Sequence, residues 1–291
     1  MSVGDRLPLP DVVLGFDDYD APAARLAAEL NVRYAKVAVH RFPDGESRVT
    51  VPAPLPARVA MCRSLDHPND KLVETILAAE AARQNGARSI TLIAPYLCYM
   101  RQDIAFNPGE AVSQRIVGGW LADRFDAVVT VDPHLHRVAT LAEAVPAADA
   151  VALSAAALFG AYLQEREPDA LLVGPDEESA QWLAAATRDH PFETAVCRKL
   201  RRGDRDVSIE IPNVALAGRS VVLVDDMASI VVMLAVAARR LIGQQRIDLG
   251  LVEPGHRQVV ARPGQLSQLQ RQRSLVPPGA RRQPLWRRRR R

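Results

Sequence analysis

A chain of 291 residues with 48% hydrophobic and 24% charged content has enough apolar material for one large core or two ordinary ones, which excludes a disordered or low-complexity protein. Its formal net charge of +3 is uneven: residues 251–291 hold eleven arginines and one acidic residue, leaving 26 basic against 33 acidic groups in residues 1–250. An acidic body argues against nucleic acid as the main partner, and the lack of an eighteen-residue apolar run or a basic-then-apolar leader predicts no membrane span and a cytoplasmic location.

In chain order, Asp11–Gly15 predicts a first strand, and Ala21–Leu30 a helix with Pro22 in its first turn and Asn31 as its cap. The same rhythm predicts strand Val59–Cys62, helix Lys71–Gly86, strand Ile90–Ala94, helix Glu110–Phe125 and strand Ala127–Val131. A Pro/Ala-rich join at Pro146–Ala148 separates this from a second series: helix Ser154–Gln164, strand Leu171–Val173, helix Glu178–Thr187, strand Thr194–Cys197 and strand Val221–Val224. Strands alternating with helices imply an α/β fold in two domains, 8–148 and 149–250, each with a mostly parallel sheet flanked by helices. The charged segment from Lys199 to Pro212, with a central Gly203, predicts a hairpin or flap. Cys62, Cys98 and Cys197 are too few and too scattered for a disulfide framework or zinc cluster, and read as buried thiols. Past Asp248 the apolar periodicity ends, and 251–291 reads as a basic disordered tail able to contact nucleic acid or anionic lipid nonspecifically.

Chemistry-bearing residues sit just beyond the predicted strands, where open α/β sheets bind ligands. His40–Glu46 is a turn with an aromatic face beside carboxylates. Tyr99–Asp103 supplies a guanidinium at Arg101, amide hydrogen bonds at Gln102, and Asp103 to orient Arg101. Asp132–His136 and Gly174–Glu178 place His134 and Asp176 as candidate metal ligands, and Val224 runs into Asp225 and Asp226. A phosphate cradle after such a strand normally uses small residues with converging N–H groups, but Ile230, Val231, Val232 and Met233 are bulky.

Phe42–Glu46, Asn69–Glu74, Tyr99–Asp103, Asp132–His134, Gly174–Asp176, Lys199–Arg201 and Val224–Ala228 together resemble, in order and spacing, the ribose-phosphate pyrophosphokinase family over roughly residues 10–250. The resemblance implies two phosphoribosyltransferase-like domains in homo-oligomers that transfer the diphosphoryl group of ATP to the 1-hydroxyl of ribose 5-phosphate. It implies that Phe42, Asp44 and Glu46 hold adenine in a neighbouring subunit's site, and that Arg101, Gln102 and Asp103 hold ATP. His134 and Asp176 fall on Mg²⁺ ligands, Lys199 and Arg201 on the catalytic cations, and Asp225, Asp226 and Ser229–Met233 on the ribose 5-phosphate site. The bulky residues depart from the family's Thr and Gly, so impaired activity is expected, with a catalytically silent regulatory or assembly subunit as the alternative. A phosphoribosyltransferase would need an intact loop here, and would not need Phe42–Glu46. The likeness stops near Leu249, so the second domain is expected to be incomplete, and 251–291 is either a native tail or an out-of-frame product.

Overall fold

The computed structural model describes residues 7–201, 207–210, 214, 219–224, 250–251 and 259–260. β1 (Val12–Phe16) is buried throughout, as a strand covered on both faces requires. α1 (Asp20–Glu29) closes at Asn31, whose φ of 53° is the left-handed geometry expected of an asparagine cap. β2 (Arg33–Arg41) and β3 (Ser47–Thr50) then form an antiparallel hairpin that the sequence reading left unassigned. Val37 is the one fully buried residue of β2, and its apolar stretch Val37-Ala38-Val39 is short and flanked by charge.

β4 (Arg58–Cys62) leads into α2 (Pro68–Gln84), which begins with proline, where no N–H is needed, and ends before Gly86 at φ 118°. β5 (Ser89–Ala94), α3 (Ser113–Ala122), β6 (Ala127–Val131), the one-turn α4 (Leu141–Ala144) and β7 (Asp149–Leu153) complete a seven-stranded sheet of order β3-β2-β1-β4-β5-β6-β7. All neighbours in it are parallel except β2 and β3. The strand after the Pro/Ala join therefore pairs with β6 and extends the first sheet to Leu153, five residues past the position where the composition changes.

α5 (Ala156–Arg166), β8 (Leu171–Gly174), α6 (Ala180–Ala186) and β9 (Glu193–Val196) begin a smaller unit. β10 (Arg198–Arg201) and β11 (Val207–Glu210) pair antiparallel, which is the hairpin expected of the charged segment. β12 (Val221–Leu223) joins β8 and β9 in a three-stranded parallel sheet of order β12-β8-β9. Its core gathers Leu172, Trp182, Leu183, Phe192, Val222 and Val224, separate from the larger core under the first sheet. Two short antiparallel strands, β13 (Gly250–Leu251) and β14 (Val259–Val260), fall across the boundary drawn at 250; the rest of the tail lies outside the described residues.

The three cysteines are free and buried, and burial pushes the Cys62 and Cys98 thiols up to about 12. At neutral pH they are apolar filling rather than nucleophiles. Among the described residues no helix is long and apolar enough to cross a membrane.

Close helix packing needs glycine at Gly118 and Gly160. A Cβ on Gly118 of α3 would lie 1.8 Å from the Ala144 carbonyl oxygen at the end of α4, so both backbones would have to part. Gly118→Ala is expected to cost about 1–3 kcal/mol of stability, the usual range for overpacking, read as a lower urea midpoint at unchanged slope.

Candidate active site

Strand polarity gathers the candidate residues. In the large sheet β1, β2, β4, β5 and β6 all run the same way, so the segments beginning at Asp17, Phe42, Arg63, Pro95 and Asp132 leave from one edge.

The turn after β2 is closed by Phe42 N–H donating to the Glu46 carbonyl at 2.8 Å and Gly45 N–H to the Phe42 carbonyl at 3.0 Å. Gly45 has φ 96°, a conformation that strains any side chain. Asp44 accepts the Glu46 N–H at 3.1 Å, and the Phe42 ring meets His40 edge-on at 4.8 Å. Phe42, Asp44 and Glu46 are all exposed, which leaves them available to a ligand or a second chain.

A buried ion network that sequence reading missed fixes this hairpin to the body. Arg63, 3% exposed, donates to Asp18 at 3.0 Å and to Glu74 at 2.6 Å, and its guanidinium lies 4.2 Å from the centroid of the Phe16 ring. Glu74, 1% exposed, also accepts from Arg41 of β2 at 3.2 Å and from Ser47 of β3 at 3.0 Å. One carboxylate thus joins the end of β4, helix α2 and both strands of the hairpin. The available signal was an arginine directly after an apolar strand together with a glutamate inside a helix, and neither names its partner.

Beyond β5, Gln114 is buried and donates to the Met100 carbonyl at 3.1 Å, pinning the 99–103 turn in which Tyr99 adopts φ 61°. Arg101 is exposed beside it. Gln102 donates to the Ile104 carbonyl at 3.1 Å. Glu110 holds the following loop through the Phe106 N–H at 2.8 Å and the Asn107 amide at 2.6 Å, and these bonds, the Asn107 side chain first, keep its carboxyl below the usual range. Asp103, with 1% of its side chain exposed, accepts from Arg137 at 2.7 Å, a partner the sequence reading did not name.

Past β6, Asp132 turns the chain with φ 41° and accepts the Ala155 N–H at 2.9 Å, which ties this edge to the start of α5. In the segment that follows, Leu135 packs against the large core, and the His134 and His136 rings on either side of it stack with centroids 3.5 Å apart. His136 Nδ1 lies 2.7 Å from Glu178 Oε1. Glu178 lies two residues after Asp176, whose Oδ1 caps a short turn by accepting from the Glu178 N–H and the Ser179 hydroxyl, each at 3.1 Å. The segments carrying His134 and Asp176 therefore meet, although they come from different sheets. Cys197, hydrogen-bonded at its N–H to Gly174, has its thiol raised by burial and then by the nearby Asp176 charge.

No cluster of three or more His, Cys, Asp or Glu suited to a metal gathers among the described residues. An imidazole is an unusual donor for a hard divalent cation, so an ion at His134 and Asp176 would take most of its shell from water or phosphate oxygens. Lys199 and Arg201 lie on β10, paired with Ile209 and Val207. Asp225, Asp226, Ser229, Ile230, Val231, Val232 and Met233 lie outside the described residues.

Comparisons with known proteins point to one family. Residues 12–123 match the family described as the N-terminal domain of ribose phosphate pyrophosphokinase. The ribose-phosphate pyrophosphokinase of Methanopyrus kandleri is 40% identical over 221 residues, spanning 75% of this chain and 74% of the relative. That of Halobacterium salinarum is 34% identical over 235 residues, spanning 80% and 82%. The crystal structure of phosphoribosylpyrophosphate synthetase from Mycobacterium smegmatis superposes with a TM-score of 0.66 at 22% identity, over 82% of this chain and 79% of that one, and shares the fold.

Glu74 tests the hairpin anchor. Glu74→Ala leaves Arg63 buried with Asp18 as its remaining carboxylate, and is expected to cost about 3–5 kcal/mol in urea unfolding, as removal of one member of a buried pair does.

Proposed function

The chain belongs to the ribose-phosphate pyrophosphokinase family, and on that premise we propose that it is a ribose-phosphate diphosphokinase by descent, with its ATP half intact and its acceptor half weakened. The reaction is attack of the 1-hydroxyl of ribose 5-phosphate on the β-phosphorus of ATP, yielding phosphoribosyl pyrophosphate and AMP. The observation that carries this reading is the meeting of the His134 and Asp176 segments at the carboxyl ends of two parallel sheets, linked by His136 and Glu178 at 2.7 Å. Two phosphoribosyltransferase-like domains each supply one of these segments, the first running through β7 to Leu153.

The residue roles are those that the family resemblance implies. Phe42 stacks on adenine while Asp44 and Glu46 accept from it, in a neighbouring subunit of a homo-oligomer. Arg101 and Gln102 bind the nucleotide, and buried Asp103 acts behind them by holding Arg137. His134 and Asp176 hold Mg²⁺, which when bound neutralises charge on the phosphates. Lys199 and Arg201, carried on the β10–β11 hairpin, close over the transferring group and offset the charge that builds on it. Asp225 and Asp226 accept from the ribose hydroxyls. Such chemistry depends on positioning more than on covalent catalysis, so each role needs only a correctly placed charge or hydrogen bond.

The acceptor loop, Ser229–Met233, is where this chain departs. β-Branched Ile230, Val231 and Val232 avoid the positive φ that glycine supplies, and two hydroxyl donors of the family pattern are missing. Hydrogen bonds to a charged group contribute roughly 1.5–3 kcal/mol each, so losing two weakens sugar-phosphate binding on the order of 10²-fold or more. The same loop favours a second reading, a silent subunit that binds ATP and assembles with active copies.

AMP formation from ATP and ribose 5-phosphate separates these outcomes. Little turnover is expected from the parent chain and clearly more from the variant Ile230→Thr, Val231→Gly, Val232→Gly, Met233→Thr. Parental turnover that the variant fails to exceed would contradict the loop argument. ATP binding with no turnover in either protein would favour the silent subunit.

A further inference from the structure

Two neighbouring residues on the segment after β6 reach in different directions. Arg137 donates to Asp103, buried in the segment after β5, at 2.7 Å. His136 Nδ1 lies 2.7 Å from Glu178 Oε1, in the turn after β8. Between them they connect the three segments that carry Arg101, His134 and Asp176, and two of those segments belong to the large sheet while the third belongs to the small one.

The His136 side of this connection is the more exposed to loss. Its Nε2 is buried and has no hydrogen-bond partner, so the ring is oriented by Glu178 at Nδ1 and by the stacked His134 ring 3.5 Å away. Glu178 is in turn rigidly related to Asp176, because Asp176 Oδ1 accepts from the Glu178 N–H and from buried Ser179. A movement of Glu178 is therefore carried to Asp176 through one short capped turn, and a movement of His136 is carried to His134 through ring contact.

We propose that the His136–Glu178 pair is a clasp that sets the separation of His134 and Asp176 and so determines how well the site takes a divalent metal–triphosphate complex. Both are positioning residues: neither needs to touch the ligand. The clasp resembles the carboxylate behind a ligating histidine in metal sites, except that the carboxylate here acts across two sheets and through a stacked second imidazole. The proposal rests on the nucleotide reading above, and its test includes a measurement that does not.

Binding of Mn²⁺·ATP to the full chain, followed by electron paramagnetic resonance of free Mn²⁺, is compared across His136→Ala, Glu178→Ala, the double variant and Glu178→Gln. Each alanine variant is expected to weaken binding about 10-fold, the lower end of what loss of a residue behind a metal ligand costs. The double variant is expected to be no weaker than either single one, because the two residues act as one pair. Glu178→Gln, which keeps an oxygen acceptor for Nδ1–H, should stay within about 3-fold of the parent. Additive losses, or alanine variants that bind as the parent does, would overturn the clasp. Amide hydrogen exchange without ligand gives the independent reading: in Glu178→Ala, protection should fall together in residues 132–138 and 175–180. A parent chain that binds no Mn²⁺·ATP yet shows this joint loss defeats the nucleotide reading and supports the clasp as a structural link. Unchanged protection in both segments defeats the clasp.

Discussion

The direction of the strands is the constraint on which the rest of this structure depends. A parallel strand can deliver its successor only by a crossover, so the segments that follow the parallel strands of a sheet all emerge at one edge. Here that edge receives Asp18, Phe42, Arg63, Arg101 and His134 from the large sheet, and the corresponding edge of the small sheet receives Asp176. Charged groups thus converge without any local sequence motif having to bring them together, and the cost of gathering them is met by the cores beneath.

Convergence alone does not fix geometry, and two sets of polar contacts do. On one side Glu74 draws together Arg63, Arg41 and Ser47, so the exposed turn with Phe42, Asp44 and Glu46 stands on a buried ion network. Such a network is a weak source of net stability, since burying each charge costs most of what the pairing returns. Its contribution is to specify one placement of the hairpin. On the other side Arg137 and His136 fasten the His134 segment to Asp103 and to Glu178, one within the large sheet and one across to the small. Asp132 adds a third link by capping toward α5 through the Ala155 N–H.

Much of this was legible in the sequence because burial leaves a periodic trace. β1, β4, β6, β8 and β12 are short apolar runs, and each was placed within a residue or two. β2 was not found, since its apolar Val37-Ala38-Val39 is short, lies among Arg33, Lys36, His40 and Arg41, and includes a single fully buried residue. The join at Pro146–Ala148 looked like a domain boundary because composition changes there, but a strand's sheet membership is decided by its neighbours, and β7 hydrogen-bonds to β6. Site residues were legible as positions after strands. Their partners were not: Arg63 with Glu74, Asp103 with Arg137, and His136 with Glu178 are separated by 11 to 42 residues, and only the fold pairs them.

The proposed function rests on charged residues at the nucleotide side and on Ile230, Val231, Val232 and Met233 standing where the family resemblance implies Thr and Gly. The central claim is this asymmetry between the two substrates. Isothermal titration calorimetry of the parent chain with Mg²⁺·ATP, and separately with ribose 5-phosphate, beside the four-residue loop variant, tests it most directly. The account predicts saturable ATP binding that is the same in both proteins, and ribose 5-phosphate binding on the order of 10²-fold weaker in the parent than in the variant. Equal ribose 5-phosphate affinity in the two, or ATP binding gained only in the variant, would contradict it.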